Sequence, residues 1–283
     1  MLVIYGPMAQ ISVGKLFMGA FIPGFMLSGL YIIYIVILSI VKPSVAPVPS
    51  QEELAIPLGT KLFALVKGLV PPMFIILAVL GSIFFGVATP TEAAAVGCVA
   101  STLLAAAYGR FNLELLKSAS RDTLRIGAMA MAVGLGATMF TAVFLRLGGG
   151  EAVSSLLTAA PGGKWGFFAL TMFIIFILGM FIDWIGILFV MIPLVSPIGE
   201  AVGFDPLWFA MMICINLQMS FLTPPFAYAI FYLKGMAPPE WGMETGHIIR
   251  GVIPFVIIIL IGMALCVAIP DIILWLPHQM IKF

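Results

Sequence analysis

Hydrophobic residues in this chain come in long unbroken runs rather than in alternation or narrow stripes. The runs are Phe17 to Val41, Leu69 to Ala88, Pro90 to Tyr108, Ile126 to Leu147, Trp165 to Ile198, Pro206 to Leu233 and Gly251 to Ile269. A membrane-crossing helix needs about 20 predominantly apolar residues, so most runs match one crossing. The pattern predicts an all-α polytopic membrane protein with roughly seven to nine crossing or re-entrant segments. Between the first two runs, Lys42 to Gly68 carries Pro43, Pro47, Pro49 and Pro57 among Ser and Glu, which marks a solvated connection. Its end, Leu58 to Gly68, predicts a short helix at the membrane interface. Met1 to Ile4 has neither the length nor the basic start of a signal peptide, and Phe17 to Val41 reads as a retained span.

Two runs do not fit a simple crossing. Trp165 to Ile198 is 34 residues, too long for one span and too short for two spans with a turn. Gly179, Asp183, Gly186 and Pro193 interrupt it, which predicts a re-entrant hairpin. The basic residues agree. With this segment entering and leaving on one face, the loops 42–68, 109–125 and 234–250 share a side. They hold Lys42, Lys61, Lys67, Arg110, Lys117, Arg121, Arg125, Lys234 and Arg250, against Lys15, Arg146, Lys164 and Lys282 opposite. The richer side is expected to be cytoplasmic. The second exception, Pro206 to Leu233, is broken at Leu222-Thr223-Pro224-Pro225. Two adjacent prolines remove two donors, so carbonyls in the preceding turn lose their intrahelical partners. Inside a membrane those carbonyls need a packed neighbour, a Ser or Thr hydroxyl, or a bound cation.

Composition excludes other classes. Of 283 residues, 63% are apolar and 9% charged, against about 25% charged in soluble domains. A net charge of +1 offers no nucleic-acid groove. Cys98, Cys214 and Cys266 sit inside apolar runs as packing residues, and His247 and His278 form no metal-ligand spacing. The chain has no GxSxG, HExxH, GxGxxG or P-loop motif.

Four features carry candidate chemistry. Asp183 is the carboxylate inside a long apolar run, where a charge costs about 2.5 to 3.5 kcal/mol even on lenient scales. It needs a cation, a proton or a hydrogen-bonded structural role. Glu92 follows Thr89 and Pro90 at capping-box spacing, which accounts for it structurally. Arg146 ends its span beside Gly148-Gly149-Gly150, either snorkelling to the interface or presenting a guanidinium fork to a carboxylate solute. Gly127, Gly134 and Gly136 make a smooth helix face suited to close packing. An alternative chemistry is that of a membrane-embedded hydrolase or transferase using Asp183. An aspartyl protease would need a second membrane Asp, and Asp122, Asp205 and Asp271 fall at segment ends.

A broken helix after a re-entrant hairpin is an architecture of transporters built from inverted repeats. Residues 3–27 loosely echo residues 230–258, each running from a Tyr-containing stretch through a polar turn to a helix start, with Tyr5 before Pro23 and Tyr232 before Pro254. The segments GVATPTEAAAVG (86–97), GMFID (179–183), GFDPLWFA (203–210) and NLQMSFLTPPFAYAIFYLKG (216–235), in this order, resemble the large membrane subunit of tripartite ATP-independent periplasmic (TRAP) transporters. The opening VIYGPMAQISVGKLFMGAFIPG is similar to the stretch that follows that family's first discontinuous helix.

The resemblance implies an elevator-type, sodium-coupled importer of carboxylates such as C4-dicarboxylates, sialic acid or 2-oxo acids, in the bacterial inner membrane. Its expected partners are a small four-helix membrane subunit and a periplasmic substrate-binding protein. No cofactor is expected beyond sodium as the coupling ion. Carried over, the sodium site falls on Gly179, Asp183, Thr223 and Pro224, beside the solute; the candidate solute residues are Asp183 and, from the guanidinium fork noted above, Arg146. The wording of SFLTPPFAYAIFYLKG is closer to the branch associated with 2-oxo acids and other monocarboxylates. On this reading residues 1–42 are a remnant of the first repeat with a scaffold helix, 43–68 the cytoplasmic connection, and 69–283 the second repeat. That repeat holds the hairpin at about 165–198, the broken helix at about 206–233 and a final helix at 251–269. The family's first hairpin and first discontinuous helix have no counterpart in these residues. The expectation is a fragment or mis-started reading of a longer protein, or a split subunit completed by another chain, that does not transport alone.

Overall fold

A computed structural model describes residues 1–45, 56–225, 227–238 and 241–279. Pro47 and Pro49 of the predicted connection, and Lys282, lie outside the described residues. Among the described residues the regular structure is helical. The helices are α1 (Leu2–Met8), α2 (Val13–Val41), α3 (Leu58–Phe84), α4 (Pro90–Ala107), α5 (Leu113–Arg146), α6 (Gly149–Thr158), α7 (Lys164–Phe181), α8 (Trp184–Ala201), α9 (Pro206–Leu222), α10 (Tyr228–Met236), α11 (Thr245–Ala268) and α12 (Asp271–His278), with a 3-10 turn at Pro43–Val45. Seven of these, α2 to α5, α7, α8 and α11, are long and apolar enough to cross a membrane.

Several boundaries differ from the pattern. The predicted interfacial helix at Leu58 to Gly68 is the first part of a continuous α3. The change of composition at Gly68 does not end the helix, because an interior Gly costs only about 1 kcal/mol relative to Ala. Helix α5 starts well ahead of its apolar run, where Asn112 caps it by accepting the Leu115 N–H at 2.7 Å. Helices α6 and α12 lie where the hydrophobic pattern predicts no element.

The described residues divide into two compact units, Met1–Tyr31 with 127–279, and Ile32–Ile126. In the Ile32–Ile126 unit, α3 and α4 pack together, and a Cβ on Gly97 would stand 2.9 Å from Val79 Cγ2. The turn between them carries the expected capping box. Glu92 Oε2 accepts from the Thr89 N–H at 2.7 Å, and Thr89 Oγ1 accepts from the Glu92 N–H at 3.4 Å. Pro90 takes the first helical position, where its missing N–H removes no bond. Thr89→Ala is expected to cost about 1 kcal/mol of local stability, read as faster amide hydrogen exchange over the first turn of α4.

In the other unit, α9 is the centre. Thirteen of its 17 residues are buried, and α7, α8, α10, α11 and α12 pack around it. A helix apolar on all sides must be enclosed by neighbours. Two of its polar side chains are satisfied inside. Asn216 Nδ2 donates to the Met172 carbonyl at 2.8 Å, and Trp208 Nε1 donates to the Cys266 carbonyl at 3.0 Å. Asp205 caps α9 through the Trp208 N–H at 2.9 Å, with Pro206 at the first helical position. At this end Trp165, Phe168, Phe204 and Trp208 form an aromatic cluster, and Lys164 Nζ lies 5.5 and 5.3 Å from the Trp165 and Phe204 ring centres. Tyr5 on α1 shares a hydrogen bond with Ser196 on α8 at 3.1 Å. Pro193 in α8 withholds a donor from the Phe189 carbonyl, and Thr141 Oγ1 of α5 donates to that carbonyl at 3.5 Å.

Candidate functional site

The expected hairpin is α7 followed by α8, two 18-residue helices joined at Ile182-Asp183. At 1.5 Å per residue each arm is about 27 Å long, just short of the roughly 30 Å hydrocarbon core. The turn falls at Asp183 and not at Gly186 or Pro193, which lie within α8. Ile182 and Asp183 are extended, at φ −122°, ψ 144° and φ −61°, ψ 143°. Asp183 Oδ2 accepts the Ile185 N–H at 3.1 Å, so the carboxylate caps α8. Its other oxygen accepts from the Tyr228 hydroxyl at 3.3 Å.

The expected break is equally plain. Helix α9 ends at Leu222 and α10 begins at Tyr228. Thr223 is extended, at φ −110°, ψ 127°. Its hydroxyl donates to the Met219 carbonyl at 2.8 Å and its N–H to the Ser220 carbonyl at 3.3 Å. Thr223 therefore meets part of the need that Pro224 and Pro225 create, and the hydroxyl oxygen keeps its lone pairs.

Hairpin and break meet. A Cβ on Gly179, one turn before the tip, would collide with Ser220 Oγ and Cβ on α9. Ser220 Oγ is buried and makes no hydrogen bond. A cavity of about 10 Å³ lies here, lined by Gly179, Ser220, Phe221 and Tyr228 among others. That is room for about one water-sized sphere. The C-terminal ends of α7 and α9 converge at this point, and the N-terminal ends of α8 and α10 join through Asp183 and Tyr228. Helix C-terminal ends carry partial negative charge and N-terminal ends partial positive charge.

Of the expected residues, the structure gathers Gly179 and Asp183 at the tip and Thr223 and Pro224 at the break. Arg146 is exposed at the end of α5, and no hydrogen bond or ion pair joins it to Asp183 or to another described residue. Ser220 and Tyr228 belong to the cluster and escaped sequence reasoning. Both stand inside the segment 216–235, Ser220 one turn before Pro224 and Tyr228 at the start of the helix beyond the break.

Apolar helices of membrane-crossing length, a tipped hairpin and an interrupted helix that meets it define a polytopic membrane protein with its polar chemistry at one internal junction. The family model described as tripartite ATP-independent periplasmic transporter, DctM component, matches residues 1–272. The chain belongs to this family, which is one of transporters rather than enzymes. It is 26% identical over 280 residues to the C4-dicarboxylate TRAP transporter large permease protein DctM of Pseudomonas aeruginosa, covering 98% of this chain and 62% of that one. It is 26% identical over 283 residues to the sialic acid TRAP transporter permease protein SiaT of Haemophilus influenzae, covering 99% and 44%. The ectoine TRAP transporter large permease protein TeaC of Halomonas elongata is 28% identical over 288 residues, covering 97% and 62%. The chain thus spans less than two thirds of the length of these relatives.

Proposed function

We propose that the chain forms part of the large membrane subunit of a secondary, sodium-coupled importer of carboxylate solutes in the bacterial inner membrane. Its partners in this reading are a small four-helix membrane subunit and a periplasmic substrate-binding protein. The observation that carries the reading is the meeting of Gly179 and Ser220 beside Asp183 and the Thr223-Pro224 break. Unwound backbone and half-helix C-terminal ends are what coupling cations use in transporters of this architecture. Oxygen atoms of Ser220, Thr223 and Asp183 and the backbone around Gly179 and Pro224 supply a hard ligand set of that kind. The N-terminal ends beside the same junction suit a carboxylate. The solutes named for the three relatives above all bear one.

Co-reconstitution tests this reading. The chain is combined in liposomes with the permease segment by which its relatives exceed it, the small subunit and the binding protein. Uptake of a C4-dicarboxylate, sialic acid and a 2-oxo acid is then measured with an inward sodium or potassium gradient. Uptake driven by sodium supports the proposal. Uptake indifferent to sodium overturns the coupling, and no uptake of any solute overturns the importer. At the ion site, Thr223→Val is expected to weaken sodium binding about five- to tenfold, the worth of one hydrogen-bond-class contact, as read by isothermal calorimetry of the purified chain. Cys214→Ala, within buried α9, leaves sodium affinity unchanged.

A further inference from the structure

Two residues stand where the rules of helix ends argue against them, and both line one cavity. Helices α3, α4 and α8 finish in the same way: the second residue past the helix turns left-handed, and the next N–H bonds back to the carbonyl five residues earlier. Glycine fills the left-handed position in all three, Gly86 at φ +67°, Gly109 at φ +64° and Gly203 at φ +90°, because a Cβ there crowds the following carbonyl. Helix α1 closes with the same bond, from the Ile11 N–H to the Gly6 carbonyl at 2.8 Å, yet its left-handed residue is Gln10, at φ +56°. Glu200 is the second misfit. It lies one residue before the end of α8, in a last turn without a basic residue, where the helix dipole disfavours an acid. Both residues are exposed, and neither the Gln10 amide nor the Glu200 carboxylate has a hydrogen bond or ion pair among the described residues.

The cavity they line measures about 280 Å³ and is bounded by the turn after α1, the second half of α8 and the start of α9. It is remote from the ion junction, since Glu200 lies about 25 Å along α8 from Asp183 at 1.5 Å per residue. Two further oxygen-bearing residues line it, Pro193 and Ser196. Pro197 has no N–H to offer the Pro193 carbonyl, and Ser196 Oγ, joined to the Tyr5 hydroxyl at 3.1 Å, keeps lone pairs to give. Ile192 and Phe209, 1% and 2% exposed, supply apolar wall. Residues that break the local rules without a structural return mark functional positions, and here they converge on one space.

We propose that this cavity binds the head of an organic cation, an alkylammonium or alkylguanidinium group. Glu200 pairs with the charge, while Gln10, Ser196 and the Pro193 carbonyl accept from its N–H groups and the alkyl stem lies along Ile192 and Phe209. The carboxylate and the C-terminal end of α8 together refuse an anion. A bare metal ion leaves most of the space unfilled, for the volume is close to the roughly 300 Å³ at which small-molecule sites begin, and it brings no stem for the apolar wall. The bound cation offsets both misfits at once, neutralising the acid at the helix end and giving the Gln10 amide a partner.

The test uses the purified full chain in neutral detergent, titrated by calorimetry with n-butylammonium, n-butylguanidinium and the uncharged isostere n-butylurea. At least one of the cations is expected to bind tenfold or more tightly than the urea. Glu200→Gln is expected to weaken that binding at least tenfold and Gln10→Gly about fivefold, the worth of one charge-assisted and one neutral hydrogen bond. Both variants should melt at a higher temperature than the parent, because each restores a favoured helix end. A structural role for the two side chains predicts the reverse, lower melting with cation binding untouched, and that result overturns the proposal. Equal binding of cations and urea overturns it too, as does full displacement of the cation by sodium at equal concentration. Nα-acetyl-lysine N-methylamide identifies the source of the cation: binding at least as tight as that of n-butylammonium assigns the cavity to a basic side chain of a protein partner, and weaker binding assigns it to a free amine.

Discussion

Gly179→Val is expected to abolish sodium-coupled uptake and to lower sodium affinity below detection. The reason is steric and local. Any Cβ at this position would overlap both the hydroxyl and the β-carbon of Ser220, and the cavity beside them has room for a single small occupant. Valine adds two further methyl groups to that collision. Overpacking a tight contact costs about 1 to 3 kcal/mol, which the helices relieve by separating, and separation dissolves the junction of hairpin and break. Gly179→Ala presents the same clash in milder form and is expected to lower affinity by at least tenfold. Pairing Gly179→Ala with Ser220→Gly removes both atoms with which the new methyl collides and should recover a substantial part of the thermal stability. Sodium affinity should recover less, because the Ser220 oxygen is lost. If Gly179→Val binds sodium like the parent in calorimetry, the ion lies elsewhere.

The parts legible in the sequence were those written in local chemistry. A 34-residue apolar run with one acid inside announces a hairpin, and Asp183 stands at its tip because an aspartate accepts the N–H groups of the helix it opens. Thr223-Pro224-Pro225 announces the break because proline has no donor to give. Thr89, Pro90 and Glu92 announce the start of α4 in the same way. What the sequence did not disclose depends on rotation. Helices such as α7 and α9 are apolar around their whole circumference, so no polar stripe tells which side of one faces the other. The approach of Gly179 to Ser220 and of Asp183 to Tyr228 is decided by packing between distant segments. Helices α3 and α5 exceed their apolar runs for a related reason. Hydrophobic length measures how much of a helix sits in the membrane, whereas the helix itself continues through polar residues until a cap or proline stops it.

The junction also separates two kinds of helix end. The α7 and α9 termini bring carbonyls, and the α8 and α10 termini bring N–H groups. A cation and an anionic solute can therefore be held as neighbours by backbone dipoles of opposite sense. Each neutralises the other's cost of leaving water, so that joint occupancy is favoured over either alone. This is the physical content of coupling in the proposed importer, and Asp183, which stands in the turn between the end of α7 and the start of α8, is where it can be probed.

Asp183→Asn is expected to separate the structural from the functional share of that residue. Asn caps a helix about as well as Asp, so its one oxygen can keep the bond from the Ile185 N–H, while its NH2 takes the other position and donates to the Tyr228 hydroxyl. Thermal stability should fall little. The negative charge disappears, however, and with it the strongest attraction for a cation at the tip. Sodium affinity is expected to drop at least tenfold, and the solute concentration needed for half-maximal uptake should cease to depend on sodium. Asp183→Ala removes charge and cap together and should add a stability loss of about 1 kcal/mol on top of the same functional loss. Thermal unfolding and sodium calorimetry on the two variants distinguish the outcomes. If Asp183→Asn keeps full sodium affinity while Asp183→Ala is merely less stable, the carboxylate is a helix cap, and the coupling ion is held by the Ser220 and Thr223 oxygens and the backbone without it.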